Sequence, residues 1–473
     1  MGVSQKHQII YGLQKTVYKK SLYEFFKKAV LVLEPTTNWV FNWHIKFLCD
    51  VLQEDAFRVQ QGLPRVSDRI INIPFRSAKS LIFSVIFPAW VWGWFPEAKI
   101  LTLSYAESLA IKQSYLSKIL INSSWYKEYF PEVQLMRDDS GKGHYRNVFG
   151  GFRAALGLVG AVTGDGGDFL IIDDPNKPNE SKKQLSNANT TFDEVIFNRL
   201  NDPEVGQRYV IQQRINENDL SGHLIKKENS EWDVIRIPAE LDSEVQPMEL
   251  ILNYKNGLFW DGRFGRVILK SYKGALGSRG YNSQLNQKTS TGGGNLLKRK
   301  WFKRTDYDDK TMKDLKWDLF LDSAYTSKQD NDPSAIMICA KWNNDLLIKK
   351  VITGHWEFPT LIKKIIEVCK QYGINRIYIE PKASGKSVVQ QLRNISRLNV
   401  VELEAPDVDK ETRVNAVSPT IEGERVWLLD GSWIESFLEE VCTFPLATHD
   451  DQVDVLVYAV NKLLIKTGFN YAM

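Results

Sequence analysis

The sequence has 473 residues, enough for two or three domains of roughly 150 residues each. At 43% hydrophobic and 25% charged it has ordinary globular composition, and its net charge of +4 does not by itself point to nucleic acid. The four cysteines, Cys49, Cys339, Cys369 and Cys442, form no CxxC pair and no zinc spacing, so reduced, buried thiols of a cytosolic protein are expected.

No apolar signal core follows the N-terminal charges. The most apolar window, 81–95, is too short to span a bilayer and is broken by Pro88 and Gly93, so a buried helix is expected there and no membrane association. Residues 1–38 are expected as an amphipathic surface helix, basic around 15–28 with aromatics interleaved, closed by a turn at 35–38. A second helical pattern opens at Asn42-Trp43-His44 and runs through Leu52; Trp43 is either a platform for adenine or a core residue. Residues 69–80 then read as strand, loop and helix start. The ending Lys79-Ser80 matches the end of a P-loop, where the lysine reaches the β/γ-phosphates and the hydroxyl binds Mg²⁺. A helix N-terminus with free N–H groups would complete the anion site. Two positions depart from the pattern: Ile73 and Ala78 stand where glycine is usual, and the Ala78 methyl sits where the backbone must approach phosphate closely.

A strand is expected at 98–105. Next comes 168–175, in which apolar residues run into Asp173-Asp174 and stop at Pro175; Gly164, Gly166 and Gly167 supply a close-approach loop before it. So short an apolar run fits a buried strand of a parallel sheet, with its acids at the crevice where such sheets bind ligands. The first acid is placed to hold Mg²⁺ and the second to orient or deprotonate a water; the plain alternative is a solvated Asp-Asp turn. Residues 207–214 give another strand, and Gln213 or Arg214 at its end either senses a γ-phosphate or lies in a solvated turn. From 241 to 304 glycine and polar residues rise, with loops at 277–280 and 291–294. Residues 298–304 mix basic and aromatic side chains, suited either to a phosphate backbone or to a solvated linker. The domains are therefore drawn as 1–245, a linker subdomain at 246–310, and 311–473.

The last third starts a new α/β pattern: strands at 317–324, 335–340 and 346–352, a helix at 358–372, a strand at 377–380, and a helix at 455–465 opened by His449 to Asp454. Asp322, Glu380 and the Asp450-Asp451-Asp454 group thus lie on two strands and a helix. Convergence of such acids is what a two-metal nuclease needs. Asp451 and Asp454 are three apart on one helix face, although Asp450 and Asp451 also suit a helix cap.

In this order the segments resemble the large terminase subunit of tailed bacteriophages. The resemblance runs from Trp43 to about Val460 and is carried by 43–44, 71–80, 101–105, 163–175, 198–203, 213–214 with 219–224, 258–260 with 263–264, 281–287, 292–294, Asp322, Glu380 and 449–454. It implies an α/β chain in which a P-loop (RecA/ASCE-like) ATPase precedes an RNase H-like nuclease. Arg76, Ser77, Ala78, Lys79, Ser80, Asp173 and Trp43 would bind ATP, with Ser80 and Asp173 on Mg²⁺. Arg76 would stabilise transition-state charge in cis, Asp174 would act as base where many relatives carry Glu, and Gln213 would couple hydrolysis to movement. Asp322, Glu380 and Asp451, then Asp454, would hold the nuclease metals, two Mg²⁺ or Mn²⁺ ions, ahead of Asp450. The implied activity is ATP-driven translocation of double-stranded DNA into a procapsid, with endonucleolytic cutting of concatemers. Implied partners are DNA, a portal protein, a small terminase subunit and further copies in a ring, the isolated chain being a monomer. The implied location is the host cytoplasm, at the portal and not in the mature virion. The rivals are a helicase–nuclease, a transposase-like enzyme, and a degenerate ATPase that acts as scaffold beside an active nuclease.

Overall fold

The computed structural model describes residues 3–158, 164–178, 180–227, 232–242, 244–289, 295–323, 333–381, 384–404, 408–447 and 449–465. The expected 291–294 loop, Thr163, Ala324 and Asp332 lie outside the described residues. The chain divides into two compact units, Met1–Ser271 with Arg279–Ser290 and Tyr272–Ser278 with Thr291–Met473, so 246–310 is shared between them.

The first unit is built on eight strands: β1 (Asp68–Asn72), β2 (Ile100–Ser104), β3 (Leu135–Ser140), β4 (His144–Asn147), β5 (Phe152–Gly157), β6 (Phe169–Asp173), β7 (Gln207–Gln212) and β8 (Trp232–Arg236). They lie in the order β3-β4-β5-β2-β6-β7-β1-β8. The β3–β4 and β4–β5 pairs are antiparallel and the other pairs are parallel. β6 is buried at every position, as an apolar run inside a parallel sheet should be. β1, which leads into the phosphate-loop segment, is not next to β6. β7 lies between them, registering Ile71 with Ile211 and Ile211 with Asp173.

The N-terminal segment is not a single surface helix. Its second half, Leu22–Leu33, buries Phe25, Phe26, Ala29 and Val30 completely, and the Phe25 ring packs against Trp125, Tyr126 and Phe130. The apolar 81–95 window is a buried helix, as expected, but it opens with a widened π turn, Leu81–Ile86, before the α-helical Phe87–Trp92. Phe83, Phe87 and Trp90 are fully buried there, each stabilising the unit by about 2–3 kcal/mol.

The second unit has seven strands: β9 (Phe302–Thr305), β10 (Asp318–Asp322), β11 (Ser334–Trp342), β12 (Asp345–Gly354), β13 (Arg376–Ile379), β14 (Asn399–Glu402) and β15 (Val426–Leu429), ordered β14-β13-β10-β11-β12-β15-β9. β10, β13 and β14 run parallel, and β11 is antiparallel to both β10 and β12. This is the RNase H-like arrangement, and it follows the P-loop unit as expected. Its consequence is positional: β10 and β13 end side by side, bringing Asp322 and Glu380 together at the carboxyl ends of these two strands. The helix Asp451–Leu463 packs across β10 and β11 through Val453, Leu456, Val457 and Val460. All four cysteines are free and buried. Among the described residues no helix is long and apolar enough to cross a membrane.

Candidate active sites

In the first unit, β1 runs out at Asn72 and the Ile73 N–H still donates to the Gln212 carbonyl. The chain then turns through Arg76 (φ 59) and Ala78 (φ 66), both left-handed, and enters the helix at Lys79 and Ser80. Lys79, nearly buried, reaches Asp174 Oδ2 at 3.1 Å. Ser80 Oγ and Ser84 Oγ donate to Asp173 at 3.1 and 2.9 Å, and Gln113 Nε2 donates to it at 2.9 Å. Burial first, and the Asp174 charge second, push the Asp173 carboxyl up to about 6 against the pull of Lys79, Ser80 and Ser84. The structure thus joins Lys79, Ser80, Asp173 and Asp174 in one cluster although β7 separates their strands.

The left-handed backbone at Ala78 explains why glycine is usual there, since an L side chain in this region costs about 1–2 kcal/mol. Ala78→Gly should therefore raise unfolding stability by roughly 1 kcal/mol and leave ATP turnover at least as fast, measured by urea unfolding and phosphate release. A destabilised glycine variant would mean that the methyl packs productively.

The loop carbonyl of Ser77 is held by His44, whose Nε2–H donates at 3.0 Å while Nδ1 accepts from Asn42 Nδ2 at 2.9 Å. Burial pulls the His44 imidazole down to about 4, so it serves as a neutral donor near pH 7. Beside the loop lies a cavity of about 380 Å³ lined by Arg76, Ala78, Trp39, Val40, Trp260 and Arg263. Trp43, expected as the base platform, is not among its lining residues: its indole N–H is spent on the Phe259 carbonyl at 2.9 Å and its ring packs on Tyr254. Trp39 and Trp260 line that cavity instead. Gln213 follows β7 with its Oε1 buried and unpartnered, whereas Arg214 is committed to Asp219, the N-cap of the helix Leu220–Lys226. A Cβ on Gly166 or Gly167 would meet neighbours at 2.4 and 2.7 Å, so both are close-approach positions, while Gly164 opens to space. The buried Ser77 Oγ has no partner, and hard oxygen donors face an ammonium across the loop. These residues fit a magnesium–nucleoside triphosphate, with Ser80 and Asp173 on the metal and Lys79 on the phosphates.

In the second unit Asp322, Glu380 and Asp454 come together. Burial, then the Asp454 charge, then Glu380 push the Asp322 carboxyl up to about 7, against Lys410 and Arg413. The Asp454 charge acts on Asp322, and Asp454 is clasped by Lys410 Nζ at 2.6 Å and Arg413 Nη1 at 3.0 Å. Asp451 is buried one turn earlier on the same helix. Asp450 pairs with Lys410 and makes no side-chain cap. Glu380 accepts from the Tyr458 hydroxyl, which in turn accepts from Arg413 at 2.7 Å. Sequence reasoning missed Lys410, Arg413 and Tyr458; the i,i+3 spacing of the two cations on one helix was the available signal. Among the described residues no three of His, Cys, Asp and Glu are grouped closely enough to hold an ion, and Lys410 and Arg413 supply counter-charge to Asp454. The donor set is nonetheless all carboxylate oxygen, which suits Mg²⁺ or Mn²⁺.

A further residue emerges at Gly385. A Cβ there would stand 1.9 Å from the Glu380 carbonyl oxygen, so the helix beginning at Ser384 can pack on that strand end only through glycine. Gly385→Ala should displace Glu380 and slow DNA cleavage by roughly 10- to 100-fold, with ATP hydrolysis unchanged. Unimpaired cleavage would show that the close approach is dispensable. In the basic 298–304 run two carboxylates meet three of the five cations: Arg299 pairs with Glu435 at 2.8 Å, Arg304 pairs with the same carboxylate, and Lys303 pairs with Glu424 at 2.6 Å.

Residues 354–463, which include Glu380, Asp451 and Asp454, match the family model described as the terminase RNase H-like domain. The chain carries a terminase RNase H-like domain. That match bears out the resemblance to large terminase subunits over the RNase H-like part of the chain. Among solved structures the chain is similar to the large terminase of a thermophilic bacteriophage at 12% identity, covering 93% of this chain and 99% of that one with a TM-score of 0.46. It is similar to the HK97 bacteriophage large terminase at 13% identity, covering 92% and 99% with a TM-score of 0.36. Its terminase RNase H-like part is also similar to a thermophilic phage large terminase nuclease with bound magnesium, at 12% identity, covering 36% and 99% with a TM-score of 0.30. No curated protein matches the sequence.

Proposed function

We propose that this chain is the motor and nuclease of bacteriophage DNA packaging: it hydrolyses ATP to drive double-stranded DNA into a procapsid and cuts concatemeric DNA. The observation that carries the proposal is the presence, in one chain, of a terminase RNase H-like domain with converging Asp322, Glu380 and Asp454 and of a phosphate loop whose Lys79 and Ser80 meet Asp174 and Asp173. Ala78 does not break that loop, because it adopts the left-handed turn the loop requires.

In the ATPase, Lys79 would turn from Asp174 to the β/γ-phosphates as nucleotide enters, and the freed Asp174 would orient the attacking water and take its proton. Arg76, on the cavity wall, would balance charge on the transferring phosphoryl group. Gln213, at the end of the strand between loop and acids, would report the state of the phosphate. In the nuclease, divalent metal ions supply Lewis-acid stabilisation and an acidified water. Asp322, Glu380 and Asp454 would hold them, with Asp451 adjacent. Lys410 and Arg413 keep Asp454 in place, and Tyr458 orients Glu380. The partners on this reading are DNA, a portal protein, a small terminase subunit and further copies in a ring, within the host cytoplasm during infection.

The deciding experiment measures DNA-stimulated phosphate release and plasmid cleavage by the full chain with Mg²⁺ or Mn²⁺. Both activities are expected. Cleavage without ATPase in the presence of DNA and portal would leave a nuclease beside a nucleotide-gated scaffold and overturn the motor.

A further inference from the structure

Arg153, on β5, is 1% exposed, and among the described residues no carboxylate pairs with it. An apolar side chain of similar volume would fill this place without the cost of desolvating a guanidinium. Two of its nitrogens, Nε and Nη1, have no well-formed partner among the described residues, although the Tyr145 side chain lies close enough to act on its charge. The third, Nη2, donates to the Ser84 carbonyl, with Thr102 Oγ1 more distant at 3.4 Å.

The Ser84 carbonyl has a particular need. In an α-helix it would accept from the N–H of residue 88, and residue 88 is Pro88, which has none. Here the helix is widened, and the Phe87 N–H reaches back five residues to the Ile82 carbonyl. Within this wide turn Ser80 and Ser84 project together and both donate to Asp173. Arg153 therefore places a charged donor on the backbone carbonyl of the residue whose hydroxyl holds Asp173.

We propose that Arg153 is a positioning residue for nucleotide-bound magnesium: through the Ser84 carbonyl it fixes the wide turn from which Ser80 and Ser84 hold Asp173. The inference rests on the ATPase reading above. It extends the metal site to a side chain on a different strand that touches neither metal nor nucleotide.

The test uses the full-length chain and a fluorescent ATP analogue, mant-ATP, titrated with and without Mg²⁺. Arg153→Met should raise the Mg²⁺ concentration for half-maximal enhancement of binding by about 10- to 100-fold, while binding without Mg²⁺ stays within about twofold. Ser84→Ala should shift in the same direction, and Arg153→Lys, which keeps a donor, should recover to within about threefold of wild type. DNA cleavage and thermal unfolding are followed in the same preparations. Wild-type Mg²⁺ dependence in Arg153→Met overturns the inference. So does a parallel fall in metal-free binding, cleavage and melting temperature, which marks a merely structural residue. If Arg153→Met does not fold, Ser84→Ala decides: unchanged Mg²⁺ dependence there overturns the inference, and a shift supports it. A wild-type chain that binds no mant-ATP at all overturns the ATPase reading instead, and the inference with it.

Discussion

Asp322→Asn should abolish DNA cleavage, by roughly 10³-fold or more, while making the metal-free chain more stable. The two effects share a cause. Asp322 is pushed up to about 7 by burial and by Asp454 and Glu380, whereas an unfolded aspartate titrates near 4. A native carboxyl raised in this way costs stability as pH climbs through that window. The wild-type chain should therefore lose on the order of a few kcal/mol between about pH 4 and pH 7 at this group, and no more above it. Asparagine removes the charge, so the variant should melt several degrees higher at about pH 8 and gain little at about pH 5. Metal binding should release a proton below pH 7 in the wild type and not in the variant. A variant that still cuts, or that melts lower than wild type at high pH, removes Asp322 from the site.

Lys79→Ala should reduce DNA-stimulated ATP hydrolysis by roughly 10³-fold and leave plasmid cleavage within about twofold of wild type. Among the described residues Lys79 is the ammonium bonded to the acid pair, 3.1 Å from Asp174 Oδ2, so its loss removes the phosphate counter-charge. Asp174→Asn should also stop hydrolysis but retain nucleotide, because Ser80, Asp173 and Lys79 remain. Comparing mant-ATP binding by the two variants separates these roles. Equal loss of binding in both would mean that Asp174 holds the site together rather than acting on water.

The elements that carry this chemistry were the legible ones. Apolar runs that end in acids at 169–174 and 377–380, and the strand at 318–322, appear in the structure almost as drawn, because buried strands leave little freedom in composition. The strands β3, β4, β5 and β8 were not foreseen: they are short, mixed in polarity, and held by neighbours that no local pattern reveals. Side-chain direction was the harder limit. Trp43 and Arg214 sit where expected along the chain, yet one spends its N–H on Phe259 and the other on Asp219. Asp451 and Asp454 share a helix face, and only the packing of that helix on β10 and β11 brings Asp454 to Asp322. Lys410, Arg413, Tyr458 and Gly385 matter through distant neighbours, which spacing cannot report.

Asp174 has a backbone φ of 45, in the left-handed region, where aspartate is better tolerated than longer side chains because its short carboxylate can bond locally. The resemblance that gives this position to glutamate in many relatives therefore does not make glutamate an easy exchange here. The two apparent reversions toward the commoner motif pull in opposite directions: glycine at 78 relaxes a strained turn, while glutamate at 174 adds strain and overreaches toward Lys79. Together the two substitutions should nearly cancel in folding stability, leaving a loop freed at one end and tightened at the other. A lineage moving from the version seen here to the commoner one avoids a stability valley only by changing position 78 first.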